Sequence, residues 1–118
     1  MPKKRILTAS QAINEATIMA MKKDNSVYVI GEGVNDPKEI FGTTKNLKKI
    51  FSSKRVIETP ISENAMTGLC IGSAMMGLKP IQIHQRVDFA ILALEQIINN
   101  CAKAFFCFKF EAYCTNGN

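Results

Sequence analysis

Tryptophan is absent from these 118 residues, and histidine occurs once, at His84. The four cysteines (Cys70, Cys101, Cys107 and Cys114) include no Cys-x-x-Cys pair. With a single histidine available, a tetrahedral metal site has too few ligands, and no metal-binding residue is expected. No apolar stretch approaches the roughly 20 residues a membrane-spanning helix needs, so no membrane partner is expected. The first ten residues lack the apolar segment of a secretory signal, and a reducing, cytoplasmic setting is expected. Aromatic residues make up 8% of the chain and only Phe51 falls among the clustered lysines, which argues against single-strand nucleic-acid binding.

What is present is ordinary for a globular domain: 47% hydrophobic, 21% charged and a formal net charge of +5. The length fits one domain. The basic excess is concentrated in Lys3-Lys4-Arg5 and between Lys45 and Lys54, and it reads as a basic tail and a solvated surface. A small nucleic-acid binder is the competing reading, but no recognition motif accompanies the charge.

Periodicity divides the chain into alternating elements. Thr8 or Ser10 can cap a helix whose broad apolar face is formed by Ala12, Ile13, Ala16, Ile18, Met19, Ala20 and Met21. Lys22 and Lys23 suit its C-terminus. Val27-Tyr28-Val29-Ile30 reads as a strand buried on both faces. Residues 34–42 read as a loop, and Thr43 or Thr44 as the cap of a short helix through Leu47 and Ile50. Arg55-Val56-Ile57-Glu58 is a second strand. A helix capped by Ser62 begins near Glu63, and Gly77-Leu78-Lys79-Pro80 ends it. Ile81-Gln82-Ile83-His84 is a third strand, and helical periodicity runs from Phe89 to Ala104. Cys70 and Cys101 fall on apolar helical positions and read as small core residues. This order predicts an α/β fold with a doubly wound, mostly parallel sheet and helices on both faces. Ligands in such sheets bind beyond the carboxyl ends of the strands, where Glu32, Ile61 to Glu63 and Gln85 to Phe89 all fall.

Several residues there carry two readings. Glu63 is either an acid favoured by a helix N-terminus or a catalytic carboxylate. Phe89 is either a core phenylalanine or a stacking surface. His84 is a general base or, by the usual balance for a strand-end histidine, a satisfied structural residue. Arg86 and Asp88 can pair with each other or with a partner. Gly68 and Gly72 lie four apart on one helix face, and each costs roughly 0.8–1 kcal/mol against alanine in a helix interior. Either packing within the chain or close approach of a partner helix compensates.

The string Glu63-x-x-x-x-Gly68-Leu69-x-x-Gly72 resembles a motif of thiamine diphosphate enzymes. Thr59-Pro60-Ile61-Ser62-Glu63 and Gly77-Leu78-Lys79-Pro80 resemble the decarboxylase β subunit of 2-oxo acid dehydrogenase complexes. So do Tyr28-Val29-Ile30-Gly31-Glu32-Gly33-Val34 and Leu94-Glu95-Gln96-Ile97-Ile98-Asn99. The resemblance covers roughly residues 5 to 104 and implies a transketolase-like pyrimidine-binding domain. It implies that Glu63 hydrogen-bonds a ring nitrogen of the cofactor's aminopyrimidine. A carboxylate there shares a proton with the ring, which lets the cofactor lose its own C2 proton. Phe89 matches the position that stacks on the ring, Ile61 and Gln85 match positions that line it, and Glu32 matches an acid facing a channel between paired sites. The diphosphate- and magnesium-binding motif is absent and in this family lies on the α subunit. The resemblance therefore implies a heterotetramer of two α and two β subunits, with Gly68 and Gly72 at an interface, docked on an acyltransferase core. Within the family a pyruvate-like or branched-chain 2-oxo acid is the expected substrate class.

Family members run to about three hundred residues, well beyond one domain of ordinary size. After Ala104 the expected pattern gives way to an unrelated run beginning Phe105-Phe106-Cys107-Phe108. The expectation is a partial domain over 1–104 with an aberrant or truncated tail over 105–118. Phe105 to Phe110 would form an aggregation-prone patch. The alternative function is a non-catalytic remnant that only associates with an α-type partner.

Overall fold

The computed structural model describes residues 5–104. The expectations placed on Lys3, Lys4, Cys107, Cys114 and the stretch 105–118 lie outside the described residues.

Eight elements follow one another: α1 (Ala9–Lys23), β1 (Val27–Gly31), α2 (Leu47–Phe51), β2 (Val56–Glu58), α3 (Glu63–Met75), β3 (Lys79–Ile83), α4 (Val87–Ile91) and a π-helix (Gln96–Ala102). The three strands form one parallel sheet in the order β2-β1-β3. Val29 sits opposite Val56 on one side and Ile81 on the other. All five residues of β1 are buried, as a central strand covered on both faces requires.

Side-chain alternation along β1 sorts the core into two layers. Val27 and Val29 pack with Met21 of α1, Leu47 of α2 and Val56 of β2. Tyr28 and Ile30 point to the other face and meet Cys70 of α3. The Tyr28 hydroxyl lies 2.7 Å from Ser73 Oγ on α3, so a buried phenol has its partner. Helices thus lie on both faces of a parallel sheet, the α/β doubly wound arrangement that the alternation predicts.

Arg55 ties the first crossover together. Its guanidinium donates to the carbonyls of Met21 at 2.7 Å, Asp24 at 2.9 Å and Val27 at 2.7 Å. Two of these carbonyls belong to the end of α1, where the helix leaves acceptors without partners. The same group lies over the Phe51 ring, 5.1 Å from its centroid.

The structure corrects several local expectations. Thr8 caps α1 through a reciprocal pair with Gln11, as predicted, but only Thr17 and Met21 of that helix are buried. Ile13 and Met19 face outward, because the sheet beneath α1 is too narrow to cover its whole apolar face. Neither Thr43 nor Thr44 caps α2; Asn46 precedes it in the left-handed conformation. The Ser62 side chain makes no capping hydrogen bond, although α3 does begin at Glu63. β3 starts two residues early and includes Pro80. The amide of Lys79 donates to Ser26, so the nitrogen of Pro80 faces away from β1, on the side where a missing N–H costs nothing. The helix expected over Phe89–Ala104 is broken at Leu92 and Ala93 and resumes as a π-helix. Cys70 is buried as expected, and burial pushes its thiol pKa up. Cys101 is exposed, because the face it shares with Ile97 and Ile98 has no described layer over it.

Candidate functional site at the carboxyl ends of the strands

All three strands point their carboxyl ends the same way, so the segments after Gly31, Glu58 and Ile83 converge. Gly31 allows this closure. A Cβ at Gly31 would sit 2.3 Å from the carbonyl oxygen of Ile83, so any larger residue would force β1 and β3 apart.

A small cavity opens at the convergence. Glu32 enters from the β1 loop, Ser62 and Glu63 from the start of α3, and His84 and Phe89 from the segment after β3. Ile30, Pro60 and Met66 supply its apolar walls. The space within is about 20 Å³, which holds about one water molecule. The backbone carbonyl of Glu63 accepts from Thr67 Oγ1 at 2.7 Å, and that hydroxyl accepts from Gln82 Nε2 at 2.9 Å. The first turn of α3 is thereby tied to β3. The Glu63 carboxylate itself accepts no hydrogen bond among the described residues, so it remains available to a donor outside the chain.

The sequence-predicted residues divide by position. Glu32, Glu63 and Phe89 share the cavity. His84 joins them there, at the end of β3, with no hydrogen-bond partner among the described residues. Ile61 is 75% exposed and stands outside, with its apolar surface uncovered. Gln85 turns toward the β1 loop, where its amide would lie 2.4 Å from a Cβ on Gly33. Arg86 pairs with Asp88 at 2.6 Å, an exposed contact that contributes little. Gly68 packs on Gln96, whose side-chain oxygen would lie 3.3 Å from an added Cβ, whereas Gly72 faces open space.

Sequence reasoning missed Glu58. Its two carboxylate oxygens accept the backbone amides of Gly33 at 2.5 Å and Asn35 at 2.8 Å. No sequence signal marks it, because the contact exists only once β2 lies beside β1. Also unforeseen is a separate cleft of about 260 Å³ under the β1–α2 loop, lined by Asn35, Asp36, Thr44, Lys48 and Lys49. Thr44 Oγ1 and Asn35 Oδ1 are buried there without partners. Its walls carry both signs of charge.

The chemistry of the main cavity suits one edge of a polar heteroaromatic ring. It has a carboxylate to take or share a proton, a phenyl ring and apolar walls. The volume is too small to enclose such a ring. Among the described residues no group of three or more His, Cys, Asp or Glu comes together in a way that could hold a metal ion. No helix among them is long and apolar enough to cross a membrane.

The fold is thus an α/β domain in which an acid, Glu63, opens a glycine-bearing helix at the ligand end of a parallel sheet. Residues 6–109 match the family described as transketolase, pyrimidine binding domain. The chain belongs to that family. It is 43% identical over 91 residues to the chloroplastic pyruvate dehydrogenase E1 component subunit beta-4 of Oryza sativa subsp. japonica, covering 77% of this chain and 23% of that protein. It is 35% identical over 100 residues to the mitochondrial pyruvate dehydrogenase E1 component subunit beta of Rattus norvegicus, covering 85% and 28%. The corresponding subunit of Rhizobium meliloti (strain 1021) is also 35% identical over 100 residues, covering 85% and 22%. The chain therefore spans about a quarter of the length of these relatives. The family match ends five residues past the boundary that the sequence pattern suggests at Ala104.

Proposed function

We propose that the chain is the pyrimidine-binding part of a β-type subunit of a thiamine diphosphate-dependent 2-oxo acid dehydrogenase, acting with an α-type subunit on a pyruvate-like substrate. The observation that carries this reading is the Glu63 carboxylate, without a hydrogen-bond partner among the described residues and beside Phe89 at the ligand end of the sheet. Thiamine diphosphate, when bound, supplies the electron sink for decarboxylation. Glu63 would share a proton with a ring nitrogen of the aminopyrimidine and so control its protonation. Phe89 would offer its face to that ring, and Ile61 and Gln85 would line it from the loops on either side. Glu32 would place a second acid in the same space.

The half-enclosed cavity supports a site shared across an interface. We assign the diphosphate and Mg²⁺ to the α-type subunit, as the resemblance to the decarboxylase β subunit implies. We place Gly68 and Gly72 toward that interface, in a heterotetramer of two α and two β subunits docked on an acyltransferase core. The free thiols of Cys70 and Cys101 suit a reducing, cytoplasmic location.

Mixing the chain with an α-type subunit, thiamine diphosphate and Mg²⁺ tests this directly. Decarboxylation of pyruvate is expected only in the mixture, and Glu63→Gln should lower it about a hundredfold or more, the usual worth of a positioned acid or base. Association without turnover would instead mark the chain as an interaction module. Full activity in Glu63→Gln would refute the assigned role.

A further inference from the structure

We propose that Glu58 is a positioning residue of the Glu63 site, acting through Glu32; the inference rests on the enzymatic reading above. Glu58 is the last residue of β2, and β2 lies beside β1 in parallel register, with Gly31 opposite Glu58. The backbone that follows Gly31 is held at three points by this one strand end. The amide of Thr59 donates to the Gly31 carbonyl at 3.1 Å. The Glu58 carboxylate takes the amide of Gly33 on one oxygen and that of Asn35 on the other. Glu32 lies between these anchors. It lines the cavity that holds Glu63, while the amides on its C-terminal side are held by Glu58.

Two features make the hold specific. Hydrogen bonds from amides to an ionised carboxylate are roughly twice as strong as those to a neutral acceptor, so a carboxylate fixes this loop better than an amide would. Gly33 has φ +76°, a conformation that turns its N–H toward Glu58 and that a side chain would resist. The Gln85 amide packs against Gly33, where an added Cβ would meet it at 2.4 Å. The β1 loop is thus clamped between β2 and the segment after β3, which carries Phe89. Releasing the clamp would let Glu32 leave the cavity without altering any residue that lines it.

The test is a double-mutant cycle on the full chain mixed with an α-type subunit, read with amide hydrogen exchange on the same proteins. Glu58→Ala should raise exchange at Gly33 and Asn35 about tenfold or more, the loss expected for a charge-assisted hydrogen bond. Glu58→Gln keeps the side-chain volume and one good acceptor, and should fall between wild type and Glu58→Ala. If Glu58 acts through Glu32, then Glu58→Ala combined with Glu32→Gln should turn over no more slowly than Glu32→Gln alone. Unchanged exchange, or losses in turnover that multiply, would overturn the role while leaving the enzymatic reading intact. A wild-type mixture with no turnover would sink the enzymatic reading, and this role with it.

Discussion

At the scale of single residues, two charged groups, Arg55 and Asp24, tie the end of α1 to the strands. Arg55 collects three carbonyls with one guanidinium, a task lysine cannot perform because its ammonium lacks the planar fork. Asp24 accepts from the Lys79 ammonium at 2.5 Å and from both the amide and the hydroxyl of Ser26, at 2.8 and 2.6 Å. The Lys79 hydrogen bond is the largest influence holding the Asp24 carboxyl below the usual carboxylate range, and the Ser26 contacts add to it. The folded-state pKa lies below the unfolded one, so the linked stability is present above about pH 4 and fades as pH falls further, toward the folded-state value. In urea titrations below pH 4, Asp24→Asn should therefore flatten the acid-side decline in midpoint. The pair is open to solvent, so the change should be small and should shrink in high salt. An acid limb identical in the two proteins would rule the linkage out.

At the scale of elements, the connection from α2 to β2 holds a local conflict. Ser52 ends α2 with φ 66° and ψ 171°, a region that glycine alone occupies without strain. Ser52→Gly should raise stability by about 1 kcal/mol, the low end of the cost of such a backbone. Thermal unfolding would show this as an upward shift of several degrees for a domain of this size; a downward shift would refute the strain. The sequence marks this turn as polar but does not give its handedness. α3 differs, because its ends are readable. Glu63 opens it, and Gly77 beyond its C-terminus takes φ +91°, the left-handed stop that glycine supplies at low cost. The segment after Phe89 is the opposite case. Its periodicity is helical throughout, yet the chain turns at Leu92 and Ala93 and continues as a π-helix.

At the scale of the molecule, apolar side chains stand uncovered at several places among the described residues. Met76 at the end of α3 is 84% exposed, and Leu92 and Ile98 beyond α4 are exposed by more than half. Apolar area of this extent drives association when nothing covers it. The chain by itself should sediment above its monomer mass at micromolar concentration, and adding an α-type subunit should convert that population into a defined complex. Sedimentation velocity separates the outcomes, and a clean monomer at all concentrations would contradict the expectation. Leu92→Glu should reduce self-association without disturbing the core, because Leu92 is not part of either core cluster.

Much of this architecture could be read in the sequence, for identifiable reasons. β1 is a run of four apolar residues bounded by polar turns, and α3 lies between an acid and a glycine, so local chemistry fixes both. Their alternation with helices dictates a parallel sheet, and parallel strands bring Glu32, Glu63 and Phe89 to one end. These depend only on periodicity and chain direction, which every residue carries locally. The contacts of Glu58 with Gly33 and Asn35, the three carbonyls gathered by Arg55, the break at Leu92 and the exposure of Cys101 depend on which elements become neighbours. Such pairings join residues tens of positions apart, and no local pattern encodes them. The sequence therefore placed the acid at the site, while only the tertiary structure decided what holds that site in shape.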